Sequence, residues 1–102
     1  MDFKVIWTET AIADLKSICD YIAKDNPSAA AKIGRSILDH VRILEHFPFI
    51  GPAYPRRSRG MIREIVRGNY RIFYEVVDEA KVVHLLRIWH GAQGEPMLGA
   101  ES

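Results

Sequence analysis

The dipeptide Asn26-Pro27 constrains the fold more than any other feature, because it separates two stretches of helical periodicity. Before it, apolar residues recur three or four apart, at Ile12, Leu15, Ile18, Cys19 and Ile22. After it, the same spacing is followed by Ala30, Ile33, Ile37, Val41 and Leu44. Asparagine is a good N-cap, and proline at the first helical position loses no hydrogen bond. The pattern predicts two amphipathic helices, over 9–24 and from Pro27 to before Pro48, packed as an antiparallel hairpin.

One strand-like segment precedes the helices and three follow them. Residues 3–7 are mostly β-branched or aromatic and predict a first strand with Phe3, Val5 and Trp7 on one face. Residues 61–66, 70–77 and 81–89 predict three further strands, joined by tight turns at Gly68-Asn69 and at 78–80. The order β-α-α-β-β-β predicts a single α+β domain over residues 1–102. In this domain the helical hairpin covers one face of a mainly antiparallel sheet.

The turns also predict the register of the last three strands. The predicted cross-strand pairs are Val66–Arg71, Glu64–Phe73, Glu75–His84 and Arg71–Ile88. One face then receives Glu64, Arg71, Glu75, His84 and, at the strand end, His90, with Val66, Phe73, Leu86 and Ile88 among them. The opposite face receives Ile65, Tyr70, Ile72, Tyr74, Val76, Val83, Leu85 and Trp89, with Arg63, Arg67 and Arg87 at its margins. The second face is predicted to form the core beneath the helices, and a bulge of one residue would reverse part of the pattern.

Positive charge is concentrated in one segment of the chain. The formal net charge is only +1, but residues 56–71 contain six arginines against one acid, Glu64. The six are Arg56, Arg57, Arg59, Arg63, Arg67 and Arg71. Arginine binds carboxylates and phosphates through paired hydrogen bonds, so this segment either faces an anionic partner or forms a solvated strand face. The near-neutral total argues against independent RNA binding, which relies on neutralised phosphates.

Several classes of protein are disfavoured by what the sequence lacks. No apolar run approaches the ~20 residues needed to span a bilayer, and the first residues do not resemble a signal peptide. The single Cys19 cannot form an internal disulfide, which predicts a reducing cytoplasm and a buried, inert thiol on the first helix. The four histidines lack metal-ligand spacing, and no phosphate-binding loop is present. We therefore expect a cytoplasmic protein without a metal or cofactor.

Arginines and histidines remain as candidates for chemistry. Arg71 either stabilises a phosphate or pairs with Glu64 or Glu75 on the same face. His84 lies opposite Glu75 and is interpreted as a simple cross-strand pair. His90 ends the last strand, where it acts either as a general acid or base or as a cap through a backbone hydrogen bond.

Four short motifs in the chain occur in a specific order. They are Thr8-Glu9-Thr10-Ala11 after the first strand, the turn Phe47-Pro48-x-x-Gly51, the hairpin 65–74 and the terminal Leu86-Arg87-Ile88-Trp89-His90-Gly91. In order and spacing they resemble the RelE/ParE superfamily of bacterial type II toxins, over residues 3–95. The resemblance implies a toxin that is encoded beside a small antitoxin and forms a hetero-oligomer with it.

Two activities occur within that superfamily. The resemblance implies either a ParE-like poison of DNA gyrase or a RelE-like enzyme that cleaves mRNA in the ribosome. For a nuclease, the candidate catalytic residues are Arg71, His90 and Glu64, since the first two match positions that some nuclease members use. However, 91–93 (Gly-Ala-Gln) stand where an aromatic acid or base is expected, and Ile62 and Glu64 stand where RelE has basic residues. The resemblance favours a non-enzymatic, ParE-like toxin of a plasmid-stabilisation module, with the endoribonuclease and a degenerate antitoxin-binding member as alternatives.

Two groups of residues are expected to contact partners. Aromatic residues near the turn and the last strand, together with a neighbouring arginine, are expected at an apolar antitoxin groove: Phe49, Tyr54, Trp89 and Arg87. Arg56, Arg57 and Arg59 lie in a Pro-bounded loop and are expected to contact acidic side chains of a partner. The target would be DNA gyrase or, in the alternative, the ribosome with its mRNA.

Overall fold

The structure is a computed structural model that describes residues 2–53 and 62–91 of the 102-residue chain. Its elements are β1 (Lys4–Trp7), α1 (Glu9–Ala23), α2 (Pro27–Val41), a 3-10 turn (Arg42–Glu45), β2 (Ile62–Arg67), β3 (Tyr70–Val77) and β4 (Val82–His90). This order confirms the predicted β-α-α-β-β-β arrangement. The other ends agree with the predicted ones within one residue, but α2 ends at Val41, well before the predicted end at Pro48, and a 3-10 turn follows it.

The four strands form one mixed sheet in the order β1-β4-β3-β2. The β2–β3 and β3–β4 pairs are antiparallel, and only β1 runs parallel to its neighbour β4. The first strand of the chain is therefore placed beside the last one. The prediction of a mainly antiparallel α+β domain is confirmed.

Both helices begin at the polar caps that the sequence indicates. The side chain of Thr8 accepts a hydrogen bond of 3.1 Å from the backbone N–H of Ala11, and that of Asn26 accepts one of 3.0 Å from Ala29. Pro27 is the first residue of α2. These caps satisfy N–H groups that would have no partner within the helix.

The core lies between the helices and one face of the sheet. The two layers contribute buried side chains at Phe3, Ala11, Ile37, Val41, Leu44, Ile65, Ile72, Tyr74, Val76, Val83, Leu85 and Ile88. Val5 and Trp7 pack against this core, so β1 presents the predicted face. Helix α1 is rotated from expectation, because Ala11 is buried while Ile12 is 54% exposed. Thr8 binds the carbonyl of Leu85 and brings the first turn close to β4, where a small side chain fits.

The two helices approach closely at Cys19 and Gly34. A Cβ atom on Gly34 would lie 3.2 Å from the Cys19 sulfur, so glycine allows the helices this separation. The thiol is half-buried, and its sulfur lies 3.8 Å from the carbonyl oxygen of Ala30. Cys19 thus lies at the helix–helix contact, but it is only half-buried and not buried as predicted.

The predicted register is correct for β2–β3 and wrong for the end of β4. The pairs Glu64–Phe73, Val66–Arg71 and Glu75–His84 are observed. A bulge follows, because Phe73 lies opposite Arg87 while its neighbour Tyr74 lies opposite Leu85, and Leu86 is the extra residue. Beyond the bulge the actual pairs are Arg71–Trp89, Ile72–Ile88 and Tyr70–His90.

The bulge exchanges the faces of the residues that follow it. Ile88 is 3% exposed and belongs to the core, whereas Trp89 lies on the face of Arg71. His90 lies opposite Tyr70, on the face that carries the core. The predictions that Trp89 joins the core and that His90 shares a face with Arg71 are therefore wrong. The physical reason is the extra residue Leu86, which shifts the alternation by one position, so that Ile88 lies opposite Ile72 under the helices.

Candidate functional site

The strongest polar feature on the sheet face away from the helices is an ion pair between Arg71 and Glu64. Arg71 lies on β3 and Glu64 on the neighbouring β2. The Nε and Nη2 atoms of Arg71 donate to the two carboxylate oxygens at 2.6 and 3.2 Å. Their side chains are 27% and 19% exposed. The prediction that Arg71 pairs with an acid on its own face is confirmed, with Glu64 as the acid.

Apolar side chains surround this ion pair. Ile62 and Phe73 are buried and form a second small cluster, against which Leu86 and Trp89 pack. The Arg71 guanidinium lies 5.0 Å from the centre of the Phe73 ring, a distance suited to a cation–π contact. The face predicted to be polar thus carries the Arg71–Glu64 ion pair beside a small, mostly buried apolar cluster.

Arg87 is held by helix α1 at the border of the same surface. Its Nε and Nη2 atoms donate to the two carboxylate oxygens of Asp14 at 2.7 and 3.0 Å. Asp14 also accepts the backbone N–H of Ile88 at 3.0 Å. The Arg87 guanidinium lies 4.8 Å from the centre of the Trp89 ring. Sequence reasoning missed Asp14, which lies 73 residues from Arg87 and carries no local motif.

His90 and Tyr70 form an edge-on aromatic pair on the other face. Their ring centres are 5.3 Å apart and the rings are nearly perpendicular. Burial raises the pKa of the Tyr70 hydroxyl above its ordinary value of 10.0, with a smaller contribution from Cys19. The structure therefore does not bring His90 together with Arg71 and Glu64, the other two candidate catalytic residues.

The turn before β2 is attached to the sheet through Gly51. Its N–H donates to the Tyr74 hydroxyl at 3.0 Å, and its carbonyl accepts from Arg63 at 2.6 Å. A Cβ on Gly51 would collide with the backbone carbonyl of Glu64 and come 2.8 Å from the Tyr74 hydroxyl oxygen. Burial raises the pKa of Tyr74, and the Gly51 hydrogen bond and Arg63 partly oppose this shift. The glycine of the Phe-Pro-x-x-Gly motif is thus required by a close approach of backbone to backbone.

The same turn presents large apolar side chains to solvent. Phe47, Phe49 and Ile50 are each half-exposed or more, while Pro48 between them is buried. The Phe49 ring packs edge-on against Phe3 and is covered on one side by the Arg63 guanidinium. Phe49 and Trp89, expected at one groove, lie in separate clusters. Tyr54, Arg56, Arg57 and Arg59 lie outside the described residues.

Residues 2–53 and 62–91 contain neither a cluster of metal-ligating side chains nor a candidate membrane-spanning helix. Histidine, cysteine and carboxylate side chains there form no group of three that could hold a metal ion. In the same ranges the structure contains no helix with the length and apolar character of a membrane span.

Comparison with known proteins adds a family to this geometry. The model of a family described as ParE toxin of type II toxin-antitoxin system, parDE, matches residues 5–94. Toxin RelE2 of Caulobacter vibrioides is 35% identical over 91 residues, which are 88% of this chain and 97% of that protein.

Two solved structures extend the similarity to the fold. The chromosomal ParDE toxin–antitoxin system from P. aeruginosa contains a chain with a TM-score of 0.70 and 26% identity, covering 86% of this chain and 95% of that one. The RelBE2 toxin–antitoxin complex from Mycobacterium tuberculosis gives a TM-score of 0.61 and 27% identity, with coverage of 88% and 99%.

Proposed function

Since the chain belongs to the ParE toxin family, within the RelE/ParE superfamily of type II toxin–antitoxin toxins, we propose that it stops growth by binding DNA gyrase and that it does not cut mRNA. Membership of the superfamily leaves both targets open, because its relatives carry both names. The choice between them depends on the sheet face that carries Arg71. The observation that carries the proposal is the paired state of Arg71 with Glu64.

The active site of a ribosome-dependent nuclease must provide three catalytic functions. One group must accept the proton of a 2′-hydroxyl, another must stabilise the added charge on the phosphate, and a third must protonate the leaving oxygen. Arg71 is the natural phosphate ligand, but its Nε and Nη2 atoms both donate to the Glu64 carboxylate. A phosphate that approaches Arg71 meets this negative charge at the same place, and repulsion disfavours binding.

The position of His90 supports the same choice. General acid or base catalysis requires the catalytic atom to reach the reacting group within about 3 Å or through one water. His90 pairs with Tyr70 on the face opposite to Arg71, so the strand separates it from the arginine. The partly exposed Leu86 and Trp89, beside an Arg71–Glu64 pair without net charge, suit recognition of a protein better than cleavage of RNA.

We also propose a cognate antitoxin as the partner that neutralises the toxin. The similar solved structures are toxin–antitoxin systems, and this chain has a half-exposed apolar turn at Phe47, Phe49 and Ile50. Exposed apolar groups of this kind mark interaction surfaces, and Phe49 is fixed in place by Phe3 and Arg63 before any partner binds. Arg56, Arg57, Arg59 and Tyr54, which follow this turn in the sequence, remain proposed contacts, as do Arg87 and Trp89 on β4.

The target is tested with two parallel assays on the purified toxin. Incubation with gyrase, ATP and plasmid DNA should give double-strand breaks that require gyrase, while a cell-free translation reaction should make its reporter at the normal yield. Cells that express the toxin should become filamentous. Cleavage of mRNA on ribosomes, without gyrase-dependent breaks, would establish the endoribonuclease instead.

Matched histidine variants sharpen the comparison. His90→Ala removes the nuclease candidate, and His84→Ala removes a histidine of the same strand that lies opposite Glu75. A gyrase poison should lose no more activity with His90→Ala than with His84→Ala, provided that both variants are folded. If only His90→Ala abolishes mRNA cleavage by at least ~100-fold, the catalytic interpretation of His90 is correct.

The antitoxin is tested by co-expression with the protein of the neighbouring gene. Phe49→Ser should weaken the complex at least ~10-fold, since a buried phenylalanine at an interface contributes more than 1 kcal/mol. Tyr21→Ser, on a ring that is 74% exposed on α1, is the control for general loss of surface aromaticity. Two proteins that elute separately at micromolar concentration would refute the partner, and equal affinity of the two variants would refute the role of Phe49.

A further inference from the structure

Two different elements hydrogen-bond to the side of β4 that faces away from β3. Along its first half, β1 pairs with it from Val82 to Leu85. Strand β1 then ends, and the chain continues through Thr8 into α1. Thr8 donates to the carbonyl of Leu85 through its N–H at 3.2 Å and its hydroxyl at 2.7 Å. Six residues after Thr8, Asp14 accepts the N–H of Ile88 at 3.0 Å. Helix α1 thus replaces the missing strand.

The identity of the residue that Asp14 binds reveals the effect of the bulge. In a regular strand, alternate residues direct their backbone polar groups to the same side. The backbone carbonyl of Leu85 points to the β1 side, as its hydrogen bonds from Thr8 show. In a regular strand, the backbone groups of Arg87 and Trp89 would be the next ones to point to that side. The structure instead directs the N–H of Ile88 to that side, because Leu86 is the extra residue of the bulge. Asp14 therefore binds an N–H that faces it only in the bulged register.

Asp14 makes a second contact near the bulge, with the guanidinium of Arg87. Both carboxylate oxygens of Asp14 accept from Arg87, and the two side chains are only 15% and 20% exposed. One carboxylate thus binds two consecutive residues that directly follow the bulge. Charge-assisted, bidentate contacts of this type are among the stronger polar interactions in proteins.

We propose that Asp14 is a positioning residue that selects the bulged register at the end of β4. The alternative is the regular register, in which Arg71 lies opposite Ile88 and Tyr70 opposite Trp89. The core face would receive Leu85, Arg87 and Trp89 in the regular register, and it receives Leu85, Ile88 and His90 in the bulged one. Each register therefore places one polar side chain among apolar ones on that face, and the hydrophobic pattern alone does not exclude either. A specific polar contact is what distinguishes them.

The register determines which chemistry shares a face with Arg71. In the bulged register, Trp89 and the Arg87 stack stand beside the Arg71–Glu64 pair. In the regular register, Ile88 and His90 would take those positions, and a histidine would join Arg71 and Glu64. Asp14 thereby favours the register in which Trp89 lies beside Arg71 and Glu64, and it disfavours the register in which His90 would join these two residues. Only this consequence rests on the proposed function; the selection of the register stands on the hydrogen bonds.

The selection is tested by NMR on the full chain. In the parent, the α-protons of Ile72 and Ile88 should give a strong cross-strand contact, and the Trp89 ring should contact the cluster of Ile62 and Phe73. In Asp14→Ala, a second set of signals with contacts from Arg71 to Ile88 and from Trp89 to Tyr70 should appear in at least a tenth of the molecules. Exchange of the Ile88 amide should accelerate at least tenfold. Asp20→Ala, which removes an exposed carboxylate of the same helix, should give neither change.

Deletion of Leu86 is the decisive background for these variants. Without the extra residue, a regular strand places Arg87, Ile88 and Trp89 on their observed faces, and no selection is needed. Asp14→Ala combined with this deletion should therefore show the Ile72–Ile88 contact alone. The proposal is overturned if Asp14→Ala keeps that contact as the only register. It is also overturned if Asp14→Ala fails to fold and deletion of Leu86 does not restore folding, since Asp14 would then act on stability alone.

Discussion

Replacement of Gly51 by alanine should destabilise the protein strongly, because the new methyl group has no space. Its Cβ would collide with the Glu64 carbonyl oxygen and lie 2.9 Å from that carbonyl carbon. Both atoms belong to the backbone of β2 and cannot rotate away. The third neighbour is the Tyr74 hydroxyl oxygen at 2.8 Å, on a side chain that is itself fully buried.

The expected loss combines two contributions. Overpacking at a rigid site costs about 1–3 kcal/mol. Displacement of the turn also breaks the hydrogen bond from the Gly51 N–H to Tyr74, which contributes roughly 1 kcal/mol. The free energy of unfolding should therefore fall by about 2–4 kcal/mol. In a domain of this size, each kcal/mol of lost stability lowers the thermal midpoint by about 4–8 °C, so the midpoint should fall by at least about 8 °C.

Two other glycines in the described ranges provide matched controls. Gly91→Ala would bring its Cβ to an ordinary 3.4 Å from the Asn69 carbonyl oxygen and should change stability by less than about 0.5 kcal/mol. Gly68 has a φ of +61° with no atom near its Cβ, so Gly68→Ala should show the conformational cost alone, about 1–2 kcal/mol. Urea unfolding followed by circular dichroism measures all three variants. A Gly51→Ala protein within about 0.5 kcal/mol of the parent would refute the steric argument.

Two further predictions concern ionisable groups. Burial raises the pKa of Tyr74 above 10.0, so the stability linked to its protonated hydroxyl is complete below pH 10 and falls as the pH rises further, when the unfolded chain ionises first. Urea titrations between pH 9 and about pH 11 should show a shallower decline for Tyr74→Phe than for the exposed control Tyr21→Phe, and parallel declines would contradict this. Glu64→Gln removes the counter-charge of Arg71 and should cost about 1–2 kcal/mol at pH 7, whereas an unchanged urea midpoint would show that the pair contributes nothing to stability.

Local chemistry explains which parts of the fold could be predicted. Asn26-Pro27 starts α2 because its cap and its proline act within a few residues. Gly68 adopts a positive φ in the two-residue turn, and the β2–β3 register follows from that turn alone. In each case, the residues that determine the structure are adjacent in the sequence.

The end of β4 could not be predicted, because its determinant is distant. Asp14 is more than 70 residues away from Arg87 and Ile88 in the sequence, and no pattern in either segment predicts their contact. The expected position of His90 failed for this reason. The pairing of Arg71 with Glu64 could be predicted, since both residues belong to the β2–β3 hairpin and its turn is recognisable in the sequence.

The parallel pairing of β1 with β4 has a consequence for synthesis on the ribosome. Trp7 pairs with Leu85, and the first residue of β4, Val82, follows Trp7 by 75 positions. At roughly 5–20 residues per second, the ribosome needs about 4–15 s to add this length. During that time Phe3, Val5 and Trp7 have no strand beside them, so a nascent chain cannot complete its sheet. A message truncated before the codon for Val82 would therefore yield a peptide without a completed sheet, open to proteolysis, in place of a partly active toxin.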